Sequence, residues 1–311
     1  MSVQLIHRIL PYLAAPQDDR HRLFHGRGHI EPGLEWLTLD RYPPLVFATL
    51  FAEPPAGFLD ALSAELHART RTLAIDCLLV QHRYQSGTPV ETLFGEPPAR
   101  PVAEEAGLRY WLDFQRGQNI GFFGDMAPGR AWLRERTAGC KVLNLFAFTC
   151  SFSVAALAGG AESVVNLDKS GAALELGRAN HELNDQQPDR VRFLPHEAFR
   201  CWKKLHSLGR YDVIVVDPPS RQKGSFEARR DYARLMRKLH KLLKPEAEVL
   251  ACLNDPFLDE AWLYATVGDN LAGSEKVERL PPAPGFEEPG EPALKAIHYR
   301  YRRPPELDRL G

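Results

Sequence analysis

Apolar and polar positions alternate in two different ways along the chain, with the change near Lys141. Beyond it, short unbroken apolar runs alternate with stretches of helical period. The runs are "KVLNLFA", "SVVNLD", "VRFLP", "YDVIVVD" and "EVLACLN", and the helical stretches fall near 152–158, 170–183, 197–206, 226–243 and 256–266. Unbroken apolar runs mark strands buried on both faces, as in a parallel sheet covered by helices. Strand–helix alternation predicts a doubly wound α/β domain with a mostly parallel, Rossmann-like sheet. "EKVERL" and "ALKAIHYRYR" are expected to add two edge strands.

Before Lys141 the pattern is mixed. "WLTLDRYPPLVFATLF" reads as a strand pair with a proline break, "FLDALSAELHARTRT" as an amphipathic helix and "TLAIDCLLVQHRY" as a further strand. Leu5, Ile6, Ile9, Leu10 and Leu13 share one face of a short N-terminal helix. The proline-rich "GEPPARPVAEEAG" reads as a linker. The expected organisation is a smaller α+β domain over 1–105 and an α/β domain over 106–311.

Composition narrows the class. The 311 residues are 44% hydrophobic and 25% charged, typical of a soluble globular protein. The net charge of -1 provides no global basic field, so a nucleic-acid partner needs a local patch. The N-terminal apolar run is broken by His7, Arg8 and Pro11, unlike a secretory signal, and no run is long enough to span a membrane. Five scattered cysteines (Cys77, Cys140, Cys150, Cys201, Cys252) lack any Cys-x-x-Cys spacing. Neither a metal site nor a disulfide framework is expected, and a reducing, cytoplasmic compartment fits.

Ligands of such sheets bind beyond the carboxyl ends of the strands. Three of those ends carry chemistry. The first is the turn "FAFTCS", which has no glycine although Ala147, Thr149, Cys150 and Ser151 are small. A pyrophosphate needs several bare backbone amides on a glycine turn. The turn therefore argues against NAD and FAD and favours S-adenosylmethionine, the other reading being a strand–helix turn with no ligand. The second is Asp168, 24 residues beyond Asn144, a spacing that suits a carboxylate on a ribose diol. Its other reading is the N-cap of the following helix. The third is Asp217-Pro218-Pro219-Ser220. Two prolines end a strand abruptly and fix the chain direction, presenting Asp217 and nearby carbonyls to a planar amine or base edge.

Taken in order, these segments resemble the class I S-adenosylmethionine-dependent methyltransferases of the bacterial large-subunit ribosomal RNA type, whose members methylate cytosine carbon 5 or guanine nitrogen 7. "RLFHGRGHIEPGLEWLTLDRYPP" is similar to the family's Pro-Gly-Leu…Asp-Arg-Tyr segment, and "GLRYWLDFQRGQNIGFFGDMAPGR" to its Gly-Gln-Lys-Thr-Gly-Phe-Phe…Asp…Arg block. "NLFAFTCSFSVAALAGGAESVVNLDKS", "RANHELN", "LPHEAF", "DPPS" and "GEPALK" resemble the later motifs in the family's order. The resemblance implies that the turn, with Phe146, Phe148, Thr149, Cys150 and Ser151, cradles the methionine part of the cofactor. It implies that Asp168 holds the ribose, Glu197 the adenine amine, and that Asp217, with Pro218 and Pro219, sits beside the methyl group and target. Asp125 and Arg130 fall on the family's Asp and Arg positions.

Departures from the family pattern bear on the substrate. Cys150 stands in place of a glycine, at a cost of about 1–2 kcal/mol if φ there is positive. Asn119-Ile120 replaces Lys-Thr, Arg221 replaces an aromatic after Asp-Pro-Pro, and the N-terminal RNA-binding module of many members is expected to be absent. Carbon-5 methylation needs a cysteine that adds to the ring. The family's cysteine position, at the end of the fifth strand, is occupied by Asn254, as in the guanine-nitrogen members. Cys252, two residues earlier, reads as core rather than as a displaced nucleophile. The expectation is therefore a nitrogen acceptor oriented by Asn254 and Asp217.

A basic patch supports RNA. From 221 to 244 there are nine Lys/Arg against two acids, and Arg230, Arg234, Arg237, Lys241 and Lys244 follow helical steps, as one phosphate-contacting stripe would. Its other reading is a solvated helix face. The alternatives to an RNA enzyme are a methyltransferase for a small molecule or protein side chain, favoured by the near-neutral charge, and a non-catalytic binding protein, favoured by Cys150 and Asn119-Ile120.

Overall fold

The computed structural model describes residues 2–13, 21–115, 117–222, 225–290 and 292–310. Lys223 of the basic patch and residues 14–20 of the N-terminal segment lie outside the described residues. The chain forms two compact units, one made of Met1–Asp125 with Pro282–Pro292, the other of Met126–Pro281 with Ala293–Gly311.

The first unit opens with helix α1 (Ser2–Ile9), which buries Ile6 and Ile9 as the spacing predicts. Its sheet comprises β1 (His21–His25), β2 (Leu37–Tyr42), β3 (Leu45–Leu50), β4 (Cys77–His82) and β5 (Val90–Phe94), hydrogen-bonded in that order. The expected proline break is the turn Pro43-Pro44, and Tyr42 pairs with Leu45 across it. Helices α2 (Phe58–His67) and α3 (Thr70–Leu73) carry the chain from β3 to the parallel β4. Leu62 and Leu66 of α2 join Leu37, Leu39, Val46 and Leu78 in the unit's core. The expected linker is in part a hairpin: β6 (Val102–Glu105) pairs with β7 (Leu108–Trp111). Ala106 and Gly107 both have positive φ (51° and 76°), the conformation of a tight two-residue hairpin turn. The late segment 282–292 completes this unit. The ring of Phe286 lies 4.2 Å from the Arg22 guanidinium, and Glu288 meets His25 at 3.2 Å.

The second unit starts with α4 (Ala127–Arg136) and continues as strand and helix in turn: β8 (Lys141–Leu145), α5 (Ser151–Ala158), β9 (Ser163–Asp168), α6 (Gly171–Leu183), β10 (Val191–Pro195), α7 (Trp202–Ser207) and β11 (Tyr211–Val216). A two-residue ribbon follows, β12 (Arg221–Gln222) and β13 (Phe226–Glu227). Then come α8 (Ala228–Leu239), β14 (Leu243–Asn254), α9 (Glu260–Asn270), β15 (Ser274–Arg279) and β16 (Leu294–Arg302). The sheet order is β10-β9-β8-β11-β14-β16-β15. The first five strands run parallel, and β16 and β15 are antiparallel additions.

Side chains alternate across this sheet as the pleat requires. Leu143, Leu145, Ile214 and Val216 enter the core of one face, and Val142, Val213 and Val215 that of the other. The expected doubly wound α/β architecture is therefore present. Of the two late strands only β15 is an edge, since β16 lies between β14 and β15. Helix α8 is shorter than its pattern. Pro245 disfavours helix before it, and Leu243 already pairs with Tyr211. Lys241 and Lys244 thus lie beyond the helix and do not continue its stripe. Lys244 instead places Nζ 2.7 Å from both carboxylate oxygens of Asp212. No helix among the described residues is long and apolar enough to cross a membrane.

Candidate active site

The parallel register aligns the carboxyl ends of the central strands. Leu145 pairs with Leu167, Val216 with Leu145 and with Ala251, and Asp168 with Pro195. The turn 146–151, Asp168 and Asp217 thus emerge along one edge of the sheet, and Asn254 ends β14 on the same side.

The turn from β8 to α5 is unusual in its backbone. Phe146, Phe148 and Cys150 all adopt left-handed conformations, with φ of 60°, 46° and 62°. Each costs an L-residue about 1–2 kcal/mol, so bonds from neighbouring elements must hold the turn. The Ala147 N–H donates to the Leu167 carbonyl at 3.0 Å and the Phe148 N–H to Asp168 Oδ2 at 2.9 Å. Asn180 of α6 donates from Nδ2 to the Thr149 carbonyl at 2.9 Å. The ring of Phe146 meets that of Phe226 edge-on at 5.0 Å.

Cys150 is fully buried beside Ala147 and Leu174. A Cβ at Gly177 of α6 would lie 2.4 Å from its sulfur and 3.0 Å from its Cβ. The glycine missing from the turn is thus matched by one on the facing helix, and the thiol fills the space between. Burial, with the Asp168 charge adding to it, pushes this thiol well above the usual range and keeps it protonated.

Asp168 is not the cap of α6. That role belongs to Ser170, whose Oγ accepts from the Ala173 N–H at 3.2 Å. The Asp168 carboxylate accepts one backbone N–H on each oxygen, from Ser170 at 2.7 Å and from Phe148 at 2.9 Å. A carboxylate has about four acceptor positions, so each oxygen keeps one for a ligand hydroxyl.

Beneath the turn runs a buried chain of hydrogen bonds. Asn144 Nδ2 donates to Asn166 Oδ1 at 3.0 Å and Asn166 Nδ2 to Ser153 Oγ at 2.9 Å. Ser153 meets His181 Nε2 at 2.9 Å, and His181 Nδ1 meets Gln186 Oε1 at 2.6 Å. Gln186 Nε2 donates to the Val154 carbonyl, so its oxygen must accept. This direction fixes the His181 tautomer: Nδ1 carries the proton and Nε2 accepts from the Ser153 hydroxyl. Burial lowers the His181 pKa to about 4.

At the end of β11, Ser220 donates its hydroxyl to the Asn254 carbonyl, which ties the Asp217-Pro218-Pro219-Ser220 segment to the end of β14. Asp217 and Pro219 are half-buried and Pro218 is buried, whereas Asn254 is exposed. Cys252 is fully buried in the apolar core, as expected, and the Tyr232 hydroxyl bonds its carbonyl at 3.0 Å. Glu197 lies just past β10 and pairs with Arg200 at 2.9 Å. Arg130 is buried within α4, and Asp125 is half-buried in the turn Gly124–Met126. Gly177, Ser153, His181 and the bracing role of Asn180 had no sequence signal beyond the Asn…Asn spacing of "RANHELN".

A family model described as S-adenosylmethionine-dependent methyltransferase matches residues 21–300. The chain belongs to that family. Ribosomal RNA large subunit methyltransferase I of Aeromonas hydrophila is 34% identical over 197 residues, which cover 60% of this chain and 49% of the relative. The namesake of Serratia proteamaculans is 31% identical over 206 residues, 65% of this chain and 51% of the relative. This methyltransferase-family chain thus spans about half the length of the curated relatives it matches. Among solved structures, SMU.776 complexed with SAH has TM-score 0.78 at 23% identity, covering 96% of this chain and 79% of the other. At that identity the likeness shows the fold.

The family's cofactor, S-adenosylmethionine, agrees with the donor set of this member. The turn lacks the glycine amides a pyrophosphate needs, while Asp168 retains acceptor capacity at the sheet edge.

Proposed function

We propose that this chain transfers a methyl group from S-adenosylmethionine to a nitrogen of an RNA base, with ribosomal RNA as the substrate class. The observation that carries the nitrogen acceptor is the end of β14, where an exposed Asn254 stands bonded through its carbonyl to Ser220 and Cys252 is sealed in the core. Cys252, the thiol nearest that strand end in sequence, is buried, which supports an acceptor that brings its own lone pair. The relatives named for large-subunit ribosomal RNA support the RNA reading.

The cofactor supplies an electrophilic methyl on its sulfonium. In our reading, Phe146, Phe148, Thr149, Cys150 and Ser151 hold its methionine part, and Asp168 accepts the ribose hydroxyls. Glu197 takes the adenine amine, sharing its carboxylate with Arg200. Asp217 with Pro218 and Pro219 forms a rigid wall beside the methyl group, and Asn254 orients the base. Alignment of acceptor, methyl and sulfur is the enzyme's main contribution to such a displacement. Asp125 and Arg130 complete the cofactor side. The non-catalytic alternative loses its main support, because Gly177 accommodates Cys150.

RNA phosphates meet α8 in this reading. Arg230, Arg234 and Arg237 are exposed along it, with the Arg234 guanidinium 4.2 Å over the Phe199 ring. Lys241 extends the patch beyond the helix, while Lys244 is engaged by Asp212. The 1–105 segment serves substrate recognition, 106–311 the transfer, and the five free cysteines fit a reducing cytoplasm.

Calorimetric titration with S-adenosylmethionine, with NAD as control, tests the cofactor: binding is expected for wild type and loss in D168A. Transfer of labelled methyl to bulk RNA, with nucleosides identified by mass spectrometry, tests the substrate. A nitrogen-methylated base is expected. A C5-methylated cytosine would overturn the assignment at Asn254, and transfer to small molecules alone would overturn RNA.

A further inference from the structure

Phe257 is the most exposed of the large apolar side chains among the described residues, at 82%, against 52% for Tyr264. A lone exposed apolar residue is ordinary on a loose loop, but this loop is fastened at several backbone positions around the ring. Asp255 Oδ1 accepts the Phe257 N–H at 2.8 Å. The buried Lys295 ammonium donates to the carbonyls of Asp255 at 2.8 Å and Leu258 at 2.5 Å. Arg229 donates from Nη2 to the Phe257 carbonyl at 3.1 Å. Leu258, next in sequence, is sunk in the core. The backbone is thus pinned with one aromatic ring left in water.

Its place in the fold gives that ring a meaning. Phe257 follows Asn254 by three residues, and Ser220 fastens Asn254 to the Asp-Pro-Pro segment. Arg229 and Arg230, both exposed, open α8, whose first residue Ala228 donates its N–H to the Ser220 carbonyl at 3.0 Å. Among the described residues Arg229 forms no ion pair, so its charge is not neutralised by a neighbouring carboxylate. An exposed ring on a fixed backbone, with a guanidinium bonded to its own carbonyl, matches the two parts of an unpaired nucleotide, a base face to stack and a phosphate to neutralise. Paired bases hide their faces, so a single-stranded segment fits and a duplex does not.

We propose that Phe257 is a stacking platform for an unpaired RNA base flanking the methylated one, with Arg229 on its phosphate. The inference rests on the RNA reading above and names how that substrate is gripped. Phe257 here is a positioning residue: it holds the strand while Asn254 and Asp217 face the target.

The test uses the full chain saturated with S-adenosylmethionine and a mixed-sequence single-stranded RNA of about 12 nucleotides carrying 2-aminopurine. Anisotropy reads affinity, and 2-aminopurine quenching reads stacking. F257A is expected to weaken binding about ten-fold and to abolish quenching. F257W should retain both, and all three proteins should bind S-adenosylmethionine alike. Duplex RNA should show no difference between wild type and F257A. If wild type binds RNA and F257A matches it in affinity and quenching, this inference falls and the RNA reading stands. The inference also falls if F257A leaves RNA binding intact but converts a sedimenting dimer to monomer, which would make the ring a self-association contact. If wild type binds the cofactor but no RNA, the RNA reading itself fails and takes the platform with it.

Discussion

The exchange between positions 150 and 177 shows how a single residue can be out of place yet accommodated. A left-handed Cys150 costs about 1–2 kcal/mol of backbone energy, but its side chain fills space that only Gly177 leaves open. G177A should therefore lower stability by about 1–3 kcal/mol, through overpacking against the thiol and the Thr149 backbone. Adding C150G should restore much of the loss. Urea denaturation of the two single mutants and the double mutant measures the coupling, and strict additivity would disprove the pairing. His181 sets a pH dependence. An unfolded histidine takes up its proton near pH 6.5, whereas burial delays this in the folded chain to about pH 4. Between those values the unfolded state binds more protons, so stability falls as pH falls through the window, by up to about 3 kcal/mol, and His181 adds no slope above it. H181Q should show a shallower fall in urea midpoint from pH 7 to pH 4.5 than wild type. Cys252 is sealed in the core, so C252S should keep its methyl-transfer rate while losing about 1–2 kcal/mol of stability to the buried hydroxyl. Loss of activity with the fold intact would reopen the thiol mechanism.

Elements with uninterrupted apolar runs were legible without any structure. β8, β9, β11 and β14 lie where the runs place them, because a strand buried on two faces leaves little room for polar residues, and β10 lies where its run places it although it is an edge strand with Arg192 exposed. Helix ends were less legible. The arginine–lysine rhythm continues past Leu239, but Pro245 and the pairing of Leu243 with Tyr211 end α8 first. The hairpin of β6 and β7 was hidden by its prolines and by a turn built on Ala106-Gly107, a less familiar pair than Asn-Gly. At the site, the strand-end residues could be read because position alone gives them meaning. Asn180, Gly177 and the Ser153–His181 pair could not, since each joins α6 to the turn before α5 or to α5 itself, about 30 positions away. The bond from Ser220 to Asn254 belongs to this scale, joining two strand ends. S220A should leave the affinity for S-adenosylmethionine near wild type and lower the rate of methyl transfer several-fold. Calorimetry and single-turnover kinetics separate the two, and equal loss of both would make the tie a general scaffold.

At the scale of the whole molecule, the chain visits its first unit twice. Residues 282–292 leave the second unit's sheet after β15 and supply Phe286 and Glu288 to Arg22 and His25 before returning for β16. Neither unit is a single uninterrupted interval of the sequence. On the ribosome, strands β1 to β7 are made well before the segment 282–292 that closes their unit, with most of the second unit in between. In a genome, one recombination breakpoint could exchange the second unit for another only by removing the plug of the first. The two units are therefore bound to be inherited, and finished, together.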